Sequence, residues 1–330
     1  MSSAKYPNRP LIVLGTVGIG DSVTAPEILM DTPEQVQPFL DEFYNRGYRV
    51  LDTARNYPPS APATTEPRIG LGNKDGKFIV DTKVFSFTPG DHNKEGLAKS
   101  INGSIEALGP NSPINIEYLH VPERTTPFAD TLAAMTEFQK EGKFKKLGIS
   151  NYRPDEVEEL VKIAAEKGYV TPSVFQGCYN AITRDVETTL FPILRKHGIA
   201  FYAYSPAAAG VFVEKENKRP GHRFTQGGIV GGIYMAMYGK PAIEAAVDTV
   251  KAVSKKHGIP GHEASLRWTV YHSALSAEHG DAVIVGASNL AQLRQNLDAI
   301  DAGPLPQEVV DAVNAVSDAI GEDDKKGYEF

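Results

Sequence analysis

Four side chains able to move a proton lie at or near the ends of successive apolar runs in the first part of the chain. Asp52 ends one such run, and Tyr57 follows five residues later. Lys83 ends the next run, and His120 ends the one after it. Parallel strands of a closed barrel present their carboxyl ends to one shared pocket. The pattern therefore predicts that the four residues converge in a proton-transfer site.

The residue types indicate the chemistry. A buried Asp52–Lys83 pair is held together by charge, and a lysine beside a phenol lowers the phenol's pKa from about 10. Tyr57 would then act as a general acid near neutral pH. His120 would orient a carbonyl oxygen and stabilise the charge that develops on it. Each residue alone is more often structural, but the four together favour carbonyl reduction.

The elements that must position these residues alternate along the chain. Eight short apolar runs predict strands: Leu11 to Thr16, Tyr48 to Asp52, Phe78 to Val84, Ile116 to Val121, Leu147 to Asn151, Val174 to Gly177, Ile199 to Ser205 and Ala282 to Gly286. Periodicity of 3.6 residues predicts intervening helices: Thr32 to Arg46, Lys94 to Ala107, Phe128 to Glu141, Asp155 to Lys167 and Thr188 to Lys196. Such alternation favours parallel pairing, and continuously apolar strands suit a sheet that is covered on both faces. We therefore predict a single α/β domain over residues 1–330, folded as a (β/α)8 TIM barrel.

Two segments interrupt this pattern. Glu214 to Pro241 is rich in glycine and shows neither helical nor strand periodicity, which predicts a long loop. A loop after the seventh strand would lie over the barrel mouth, and we interpret it as a lid over cofactor and substrate rather than as disorder. The tail from Ser317 to Phe330 is charged, and it would either fold over the barrel or stay mobile.

The amino-acid composition limits the partners and the cellular location that we expect for the protein. The 330 residues are 41% hydrophobic and 23% charged with a net charge of −7, so no broad basic surface is expected for nucleic acid. Cys178 is the only cysteine and no apolar signal segment follows Met1, which favours a cytoplasmic location. No apolar run reaches the roughly 20 residues that a membrane span needs. Because His120 is isolated and no histidine or cysteine cluster has metal-ligand spacing, we expect no metal site.

A candidate phosphate site follows the last predicted strand. Val283 to Asn289 leads into the helical segment Leu290 to Ile300, whose free amides would favour a phosphate. Arg294 lies about one turn into this helix, and it, Gln292 or Asn296 would reach an adenosine phosphate and base. An ordinary strand-to-helix turn with a solvated arginine explains the pattern equally well.

Other strand ends carry groups that suit a flat amide-bearing ring. Ser150, Asn151 and Gln176 supply hydroxyl and amide groups that would bond a carboxamide, and Tyr204 would stack on the ring, although core packing is the usual role of such an aromatic residue. The segment Gly15 to Gly20 does not match the G-x-G-x-x-G pattern and has no suitable helix after it, so it predicts a turn rather than a Rossmann phosphate loop.

Together these motifs resemble those of the aldo-keto reductases. They occur in the order of that family from end to end of the chain: Asp52-Thr53-Ala54-x-x-Tyr57, Thr82-Lys83, Leu119-His120, Gly148-Ile149-Ser150-Asn151, Gln176, Tyr202 to Pro206, and Gly286 to Asn296. Five further runs are similar to the aflatoxin-aldehyde reductase branch: Gln176 to Arg184, Val186-Glu187-Thr188, Leu190-Phe191-Pro192, Leu266-Arg267-Trp268 and His279 to Ile284.

The resemblance implies a (β/α)8 barrel that binds NADPH in extended form and transfers a hydride from nicotinamide C4 to an aldehyde or ketone. Tyr57 matches the proton donor, Asp52 and Lys83 match the pair that tunes it, and His120 matches the residue that orients the carbonyl. The implied cofactor contacts are Asp52, Ser150, Asn151, Gln176, Tyr204, Ser205, Ala207, Gly210, Lys215, Arg223, Gly286, Ser288, Gln292, Arg294 and Asn296. A cationic cluster at the adenosine phosphate would favour NADP over NAD.

Departures from the branch bear on the substrate. Ala207 stands where the branch commonly carries leucine, which would leave a roomier wall. Where the branch typically places arginines between two aromatic residues, Tyr234 and Tyr238 here flank Met235-Ala236-Met237. An anionic substrate would lose its obvious counter-charge. We therefore predict a preference for neutral carbonyls that are bulky or aromatic.

Two other functions compete with carbonyl reduction. One is a regulatory subunit that binds NADPH with little turnover, as ion-channel β subunits of this superfamily do, but the presence of all four catalytic candidates weighs against it. The other is a Schiff-base lyase that uses Lys83, whose pairing with Asp52 should keep it protonated and unreactive. The sequence leaves the physiological carbonyl open, and it is compatible with a monomer or a homodimer.

Overall fold

The computed structural model of the protein describes residues 6–214 and 229–327, which contain a closed barrel of eight parallel strands. The strands neighbour one another in chain order: β1 Leu11–Gly15, β2 Val50–Asp52, β3 Ile79–Lys83, β4 Ile114–Leu119, β5 Phe144–Ser150, β6 Val174–Cys178, β7 Ala200–Tyr204 and β8 Ala282–Gly286. Strand β8 pairs with β1 and closes the barrel, with Val13 opposite Ile284. The predicted (β/α)8 fold is confirmed.

Two strands begin earlier than the apolar pattern predicts. Strand β4 starts at Ile114 rather than Ile116, and β5 starts at Phe144 rather than Leu147. Exposed polar residues such as Lys145 interrupt the apolar run, yet the backbone keeps its pairing, with Ile114 opposite Phe144. Backbone hydrogen bonds between strands therefore set these boundaries, while side-chain polarity does not.

Helices cover the outside of the barrel. They are α1 Pro33–Asn45, α2 Thr65–Gly72, α3 Lys94–Leu108, α4 Phe128–Lys140, α5 Pro154–Lys167, α6 Val186–Thr189, α7 Phe191–Lys196, α8 Ile229–Tyr238, α9 Pro241–Lys256, α10 Gly261–Tyr271, α11 Leu290–Asp301 and α12 Gln307–Ala319. In α1, Val36, Leu40 and Phe43 recur at helical spacing and are buried. Within residues 6–214 and 229–327, no helix has both the length and the apolar character to cross a bilayer.

Two layers of side chains make the core. A small cluster fills the barrel interior: Val13, Val50, Ile116, Tyr118, Val174, Tyr202, Ala282 and Ile284. A larger cluster lies between the strands and the surrounding helices. Because side chains alternate across a strand, inward residues near each carboxyl end reach the pocket above the interior cluster.

The long loop predicted from Glu214 to Pro241 is wrong in part. Residues 215–228 lie outside the described residues, but Ile229–Tyr238 form helix α8. Two glycines, Gly231 and Gly232, argue against a helix on propensity alone. The helix is docked by Tyr238, whose hydroxyl lies 3.0 Å from Asn180 Nδ2 and 3.1 Å from Thr183 Oγ1. Tertiary contacts thus override local propensity.

The helix predicted from Thr188 to Lys196 forms as two short helices. Helix α6 ends at Thr189 and α7 begins at Phe191, with Pro192 in the first turn of α7. Proline suits a first turn because its missing N–H has no helical partner there, and it cannot continue an earlier helix. The chain therefore turns at Leu190.

The tail folds against the barrel as far as the structure describes it. Ser317 belongs to helix α12, and Glu322–Lys325 form a short 3-10 helix. The carbonyl oxygen of Lys325 accepts hydrogen bonds from the backbone N–H groups of Arg184 at 3.0 Å and Asp185 at 3.3 Å. Of the two outcomes predicted for this segment, the structure shows the folded one up to residue 327.

Candidate active site

A buried ion pair lies at the carboxyl ends of β2 and β3. Lys83 Nζ is 2.6 Å from Asp52 Oδ2, and it also donates to the carbonyl oxygen of Thr53 at 2.9 Å. Lys83 is fully buried, and burial by itself would lower its pKa. The charge of Asp52, its hydrogen bond to Lys83 and the neighbouring Tyr57 together outweigh burial and raise the pKa of Lys83 above its usual value. The lysine is therefore held as a cation.

Tyr57 and His120 complete the group. Lys83 Nζ lies 4.8 Å from the centre of the Tyr57 ring, and the Tyr57 and His120 rings meet edge to face at 5.6 Å. The loop that carries Tyr57 is fixed because Arg55 N–H donates to the Lys83 carbonyl oxygen at 3.0 Å. The structure thus brings together all four residues predicted from the sequence.

The pKa of Tyr57 differs from the value expected from the sequence. Burial raises the pKa of Tyr57 above 10, and the opposing effect of Lys83 does not reverse this. The prediction that Lys83 would lower this pKa below its usual value is therefore wrong for the free protein. Tyr57 holds its proton at neutral pH, as a proton donor must. Burial, with the charge of Lys83, depresses the pKa of His120 well below 6.5, so its imidazole is neutral.

The residues predicted to hold a carboxamide are hydrogen-bonded in two groups, one anchored to the ion pair and one built on Asn151. Gln176 Nε2 donates to Asp52 Oδ1 at 2.8 Å, so this amide is anchored to the ion pair. Asn151 Nδ2 donates to Ser150 Oγ at 2.9 Å, and Tyr204 Oη donates to Asn151 Oδ1 at 2.9 Å. Asn151 adopts φ +64°, a left-handed conformation that is uncommon outside glycine and often marks a functional site.

The loop after β7 is strained in the same way. Ser205 has φ +54°, and its Oγ lies 3.2 Å from the hydroxyl of Tyr234 in helix α8. Ala207 is buried in the outer core, which weakens the prediction that it leaves a roomier pocket wall. Gly210 takes φ +91° in the turn that follows. Two other predicted cofactor residues, Lys215 and Arg223, lie outside the described residues.

At the end of β8, most of the predicted adenosine residues cluster. Gln292 Oε1 accepts from both the N–H and the hydroxyl of Ser288 at 2.8 Å. Asn296 Nδ2 donates to the carbonyl oxygen of Gly286 at 3.0 Å, and Asn296 Oδ1 lies 2.9 Å from Nε2 of His262. Hydrogen bonds therefore join the end of β8 and the turn after it to the first turns of helix α11.

Arg294 does not join this cluster. Residues two positions apart on a helix point about 200° apart, so Arg294 and Gln292 face away from each other. Arg294 Nε instead donates to Glu42 Oε2 of helix α1 at 2.9 Å. In the free protein helix phase thus directs Arg294 toward helix α1, and its contact with an adenosine phosphate stays a prediction.

Sequence reasoning missed two buried groups beside the site. Asp81 lies on β3 two residues before Lys83, on the same inward face, and alternation along the strand was the signal that could have found it. Ser86 Oγ accepts the backbone N–H of His120 at 3.2 Å and lies 2.8 Å from His92 Nε2. No spacing in the sequence indicates that second contact, because it depends on how the loop after β3 folds back.

The comparison with known proteins agrees with this geometry. A model of the Aldo/keto reductase family matches residues 11–318. Oxidoreductase sirO of Leptosphaeria maculans is 35% identical over 327 residues, 98% of this chain and 98% of that protein. Human aldo-keto reductase family 7 member A3 is 37% identical over 319 residues, 93% of each chain. Human aflatoxin B1 aldehyde reductase member 4 is 36% identical over the same length and the same shares.

These matches cover the barrel and all four converging side chains, and they support an oxidoreductase acting on carbonyl groups. Members of the family generally use a nicotinamide cofactor. The resemblance to the aflatoxin-aldehyde reductase branch is confirmed by the relatives of that name. The protein belongs to the aldo-keto reductase family.

Proposed function

We propose that the protein reduces aldehydes or ketones to alcohols with NADPH, and that Tyr57 donates the proton. One observation carries the proposal: the buried Asp52–Lys83 pair lies against the Tyr57 ring, and the neutral His120 ring meets the same Tyr57 ring edge to face. A proton donor, a fixed cation and a neutral hydrogen-bonding ring around one pocket are what carbonyl reduction requires.

Each side chain has a distinct task in this reaction. Bound NADPH would supply the hydride to the carbonyl carbon. Tyr57 gives its proton to the carbonyl oxygen, and Lys83 stabilises the phenolate that remains. Asp52 holds Lys83 in place and keeps it charged. The neutral His120 orients the carbonyl oxygen without adding a second positive charge beside the phenol.

The described residues fit an extended nicotinamide cofactor. Ser150, Asn151 and Gln176 present amide and hydroxyl groups beside the ion pair, next to the ring of Tyr204. At the other end, the start of helix α11 follows the exposed Gly286, so nothing covers the approach of a phosphate to this turn among the described residues. The preference for NADP over NAD is part of this proposal and does not rest on Arg294, whose partner is Glu42.

A neutral, aromatic substrate suits the walls of the pocket. Phe87 is 45% exposed, and its ring meets His120 edge to face at 5.4 Å. Tyr234 approaches Ser205 on the opposite side of the mouth. Tyr238, which flanks the same short run in the sequence, is buried, and its ring stacks on that of Tyr234 at 6.2 Å. An aromatic aldehyde would pack on these rings.

The test is NADPH oxidation with 4-nitrobenzaldehyde, followed by absorbance, for wild type and Tyr57→Phe. We expect kcat to fall by about 10²- to 10⁴-fold while NADPH affinity is kept, because only the transferable proton is removed. Tyr152→Phe is the matched control, since the buried Tyr152 hydroxyl has no hydrogen-bond partner among the described residues. Unchanged turnover in Tyr57→Phe would remove this residue from the acid role.

The same assay separates the competing functions. Tight NADPH binding without turnover across an aldehyde panel would favour a regulatory subunit. Borohydride trapping of a carbonyl compound on Lys83 would favour a Schiff-base lyase. Succinic semialdehyde tests the substrate class, and a strong preference for this acid over the aromatic aldehyde would contradict a neutral substrate.

A further inference from the structure

A second carboxyl group lies directly beside the Asp52–Lys83 pair. Asp52 and Asp81 are opposite each other in the pairing of β2 with β3. Opposite residues on neighbouring parallel strands point to the same face, so both carboxyl groups face the barrel interior. Asp81 is also two residues from Lys83 on one strand, and it is fully buried. Lys83 forms its ion pair with Asp52, so Asp81 is a second carboxyl group beside the pair that has no ion-pair partner among the described residues.

The hydrogen bonds of Asp81 satisfy only half of the side chain. Its Oδ1 accepts from Asn115 Nδ2 at 2.7 Å and from the backbone N–H of Ile116 at 3.2 Å, where the pairing of β3 with β4 is irregular. Its Oδ2 is buried and has no hydrogen-bond partner among the described residues, and the same holds for the buried hydroxyl of Tyr118. A carboxylate with one oxygen so poorly solvated is costly, whereas a protonated carboxyl is much less so.

We propose that Asp81 is a positioning residue that stays protonated while the site is active and that slows proton donation by Tyr57 when it ionises. The inference rests on the proposed carbonyl reduction. With Asp81 neutral, Lys83 faces one carboxylate and its remaining positive charge favours the phenolate of Tyr57. With Asp81 ionised, a second negative charge offsets Lys83, so the phenolate is less stable and the proton is given up less readily.

The surroundings of Asp81 favour the neutral form. Burial, and to a lesser extent the charge of Asp52, raise the pKa of Asp81 to about 7, against the lowering effects of its hydrogen bonds to Asn115 and Ile116 and of the charge of Lys83. The titratable or charged groups that face it are Asp52 from β2, Lys83 from β3, Tyr118 from β4 and Tyr202 from β7. The rest of the interior cluster is apolar: Val13, Val50, Ile116, Val174, Ala282 and Ile284.

The decisive experiment compares wild type with Asp81→Asn, in which an amide replaces the protonated acid at nearly constant shape. The rate of hydride transfer is measured in a single turnover of NADPH-loaded protein with 4-nitrobenzaldehyde from about pH 5 to about pH 9. We expect a fall of up to about tenfold in the wild-type rate as the pH rises through about 7, since one pKa unit in the donor corresponds to tenfold. Asp81→Asn should lack this step and keep the low-pH rate.

Glu117→Gln is the matched control. Glu117 is also buried and both of its carboxyl oxygens have no partner among the described residues, but it lies on β4 between the inward residues Ile116 and Tyr118. Its side chain therefore points away from the interior, toward Glu66, and the step near pH 7 should persist in this variant. A step that survives in Asp81→Asn, or a uniform loss of rate at every pH in that folded variant, would overturn the proposal.

A second readout does not depend on activity. If the folded state binds a proton at Asp81 up to about pH 7 while an unfolded aspartate releases it near about 3.9, wild-type stability falls as the pH rises between these values and then levels off. The thermal midpoint of Asp81→Asn minus that of wild type should therefore rise across this window. A flat difference contradicts the proton at Asp81, whereas absence of turnover with a rising difference contradicts only the proposed enzyme activity.

Discussion

Two ion pairs, each formed by a buried aspartate, lie at opposite ends of the same barrel, and their surroundings differ. At the carboxyl ends, Lys83 Nζ meets Asp52 Oδ2 at 2.6 Å. At the amino ends, Arg195 contacts Asp281 with both terminal nitrogens, at 2.9 and 2.7 Å. Asp281 also accepts from the backbone N–H groups of Phe201 and Ser276, so its oxygens are fully used within the protein.

The comparison shows that a buried ion pair does not by itself indicate function. The Arg195–Asp281 pair ties the start of β8 to helix α7 and β7, and it lies beside the Phe191 ring, whose centre is 4.9 Å from Arg195 Cζ. The Asp52–Lys83 pair has a phenol and an imidazole against it. Barrel enzymes carry chemistry at the carboxyl face and stability at the other, and this chain follows that division.

Lys83→Met should give the largest effect. Removing the cation leaves Asp52 unpaired and the phenolate of Tyr57 without its stabilising charge, so we expect kcat with 4-nitrobenzaldehyde to fall by about 10²- to 10⁴-fold. Lys145→Met removes an exposed lysine and serves as control. Circular dichroism establishes that each variant is folded. If kcat of folded Lys83→Met fell by less than about tenfold, the Asp52–Lys83 pair would have no more effect on catalysis than a structural ion pair.

Asp281→Asn should affect stability instead. Breaking the bidentate contact leaves Arg195 poorly paired. Removal of one partner of a fully buried pair costs about 3 to 5 kcal/mol, and because the Arg195 side chain is partly exposed we expect a loss of about 3 kcal/mol or less. Urea unfolding at pH 7 measures the change in the free energy of unfolding. Where the variant is still folded, kcat should equal the wild-type value, and a selective fall in kcat would contradict a purely structural role.

His92 sharpens the comparison, because it lies near the carboxyl face but is expected to be structural. Burial lowers the pKa of His92 to about 4. The unfolded chain therefore binds a proton that the folded chain refuses between about pH 6.5 and 4, and stability falls as the pH decreases through this window, by the order of 3 kcal/mol. His92→Gln should lose less stability than wild type over the same range, as urea unfolding would show. An equal loss in both proteins would argue that His92 is not the group responsible.

The smallest effects are expected at the start of helix α11. Gln292→Ala removes the acceptor that holds Ser288. We expect NADPH to bind about tenfold more weakly, because this change in affinity corresponds to about one hydrogen bond. Arg294→Ala should change the affinities for NADPH and NADH equally and by less than about twofold, because its partner is Glu42. Fluorescence titration with both cofactors measures this. If Arg294→Ala weakened the binding of NADPH but not that of NADH, Arg294 would belong to the cofactor site.

Much of the site could be predicted because its signals are local. Asp52, Lys83 and His120 end apolar runs, and the alternation of strands with helices favours a parallel barrel, whose closure brings strand ends together. The amide and hydroxyl groups at Ser150 and Gln176 follow from the same reasoning. Position relative to a strand end is a property of a few neighbouring residues, so the sequence by itself determined it.

Only the tertiary structure decided what depends on register and phase between distant segments. Pairing of β2 with β3 places Asp81 beside Asp52, and the phase of α11 directs Arg294 to Glu42. Helix α8 forms where its glycines disfavour one, because Tyr238 is buried against β6 and the loop after it. Interstrand register, helix rotation and burial are set by packing of the whole chain, and no local pattern contains them.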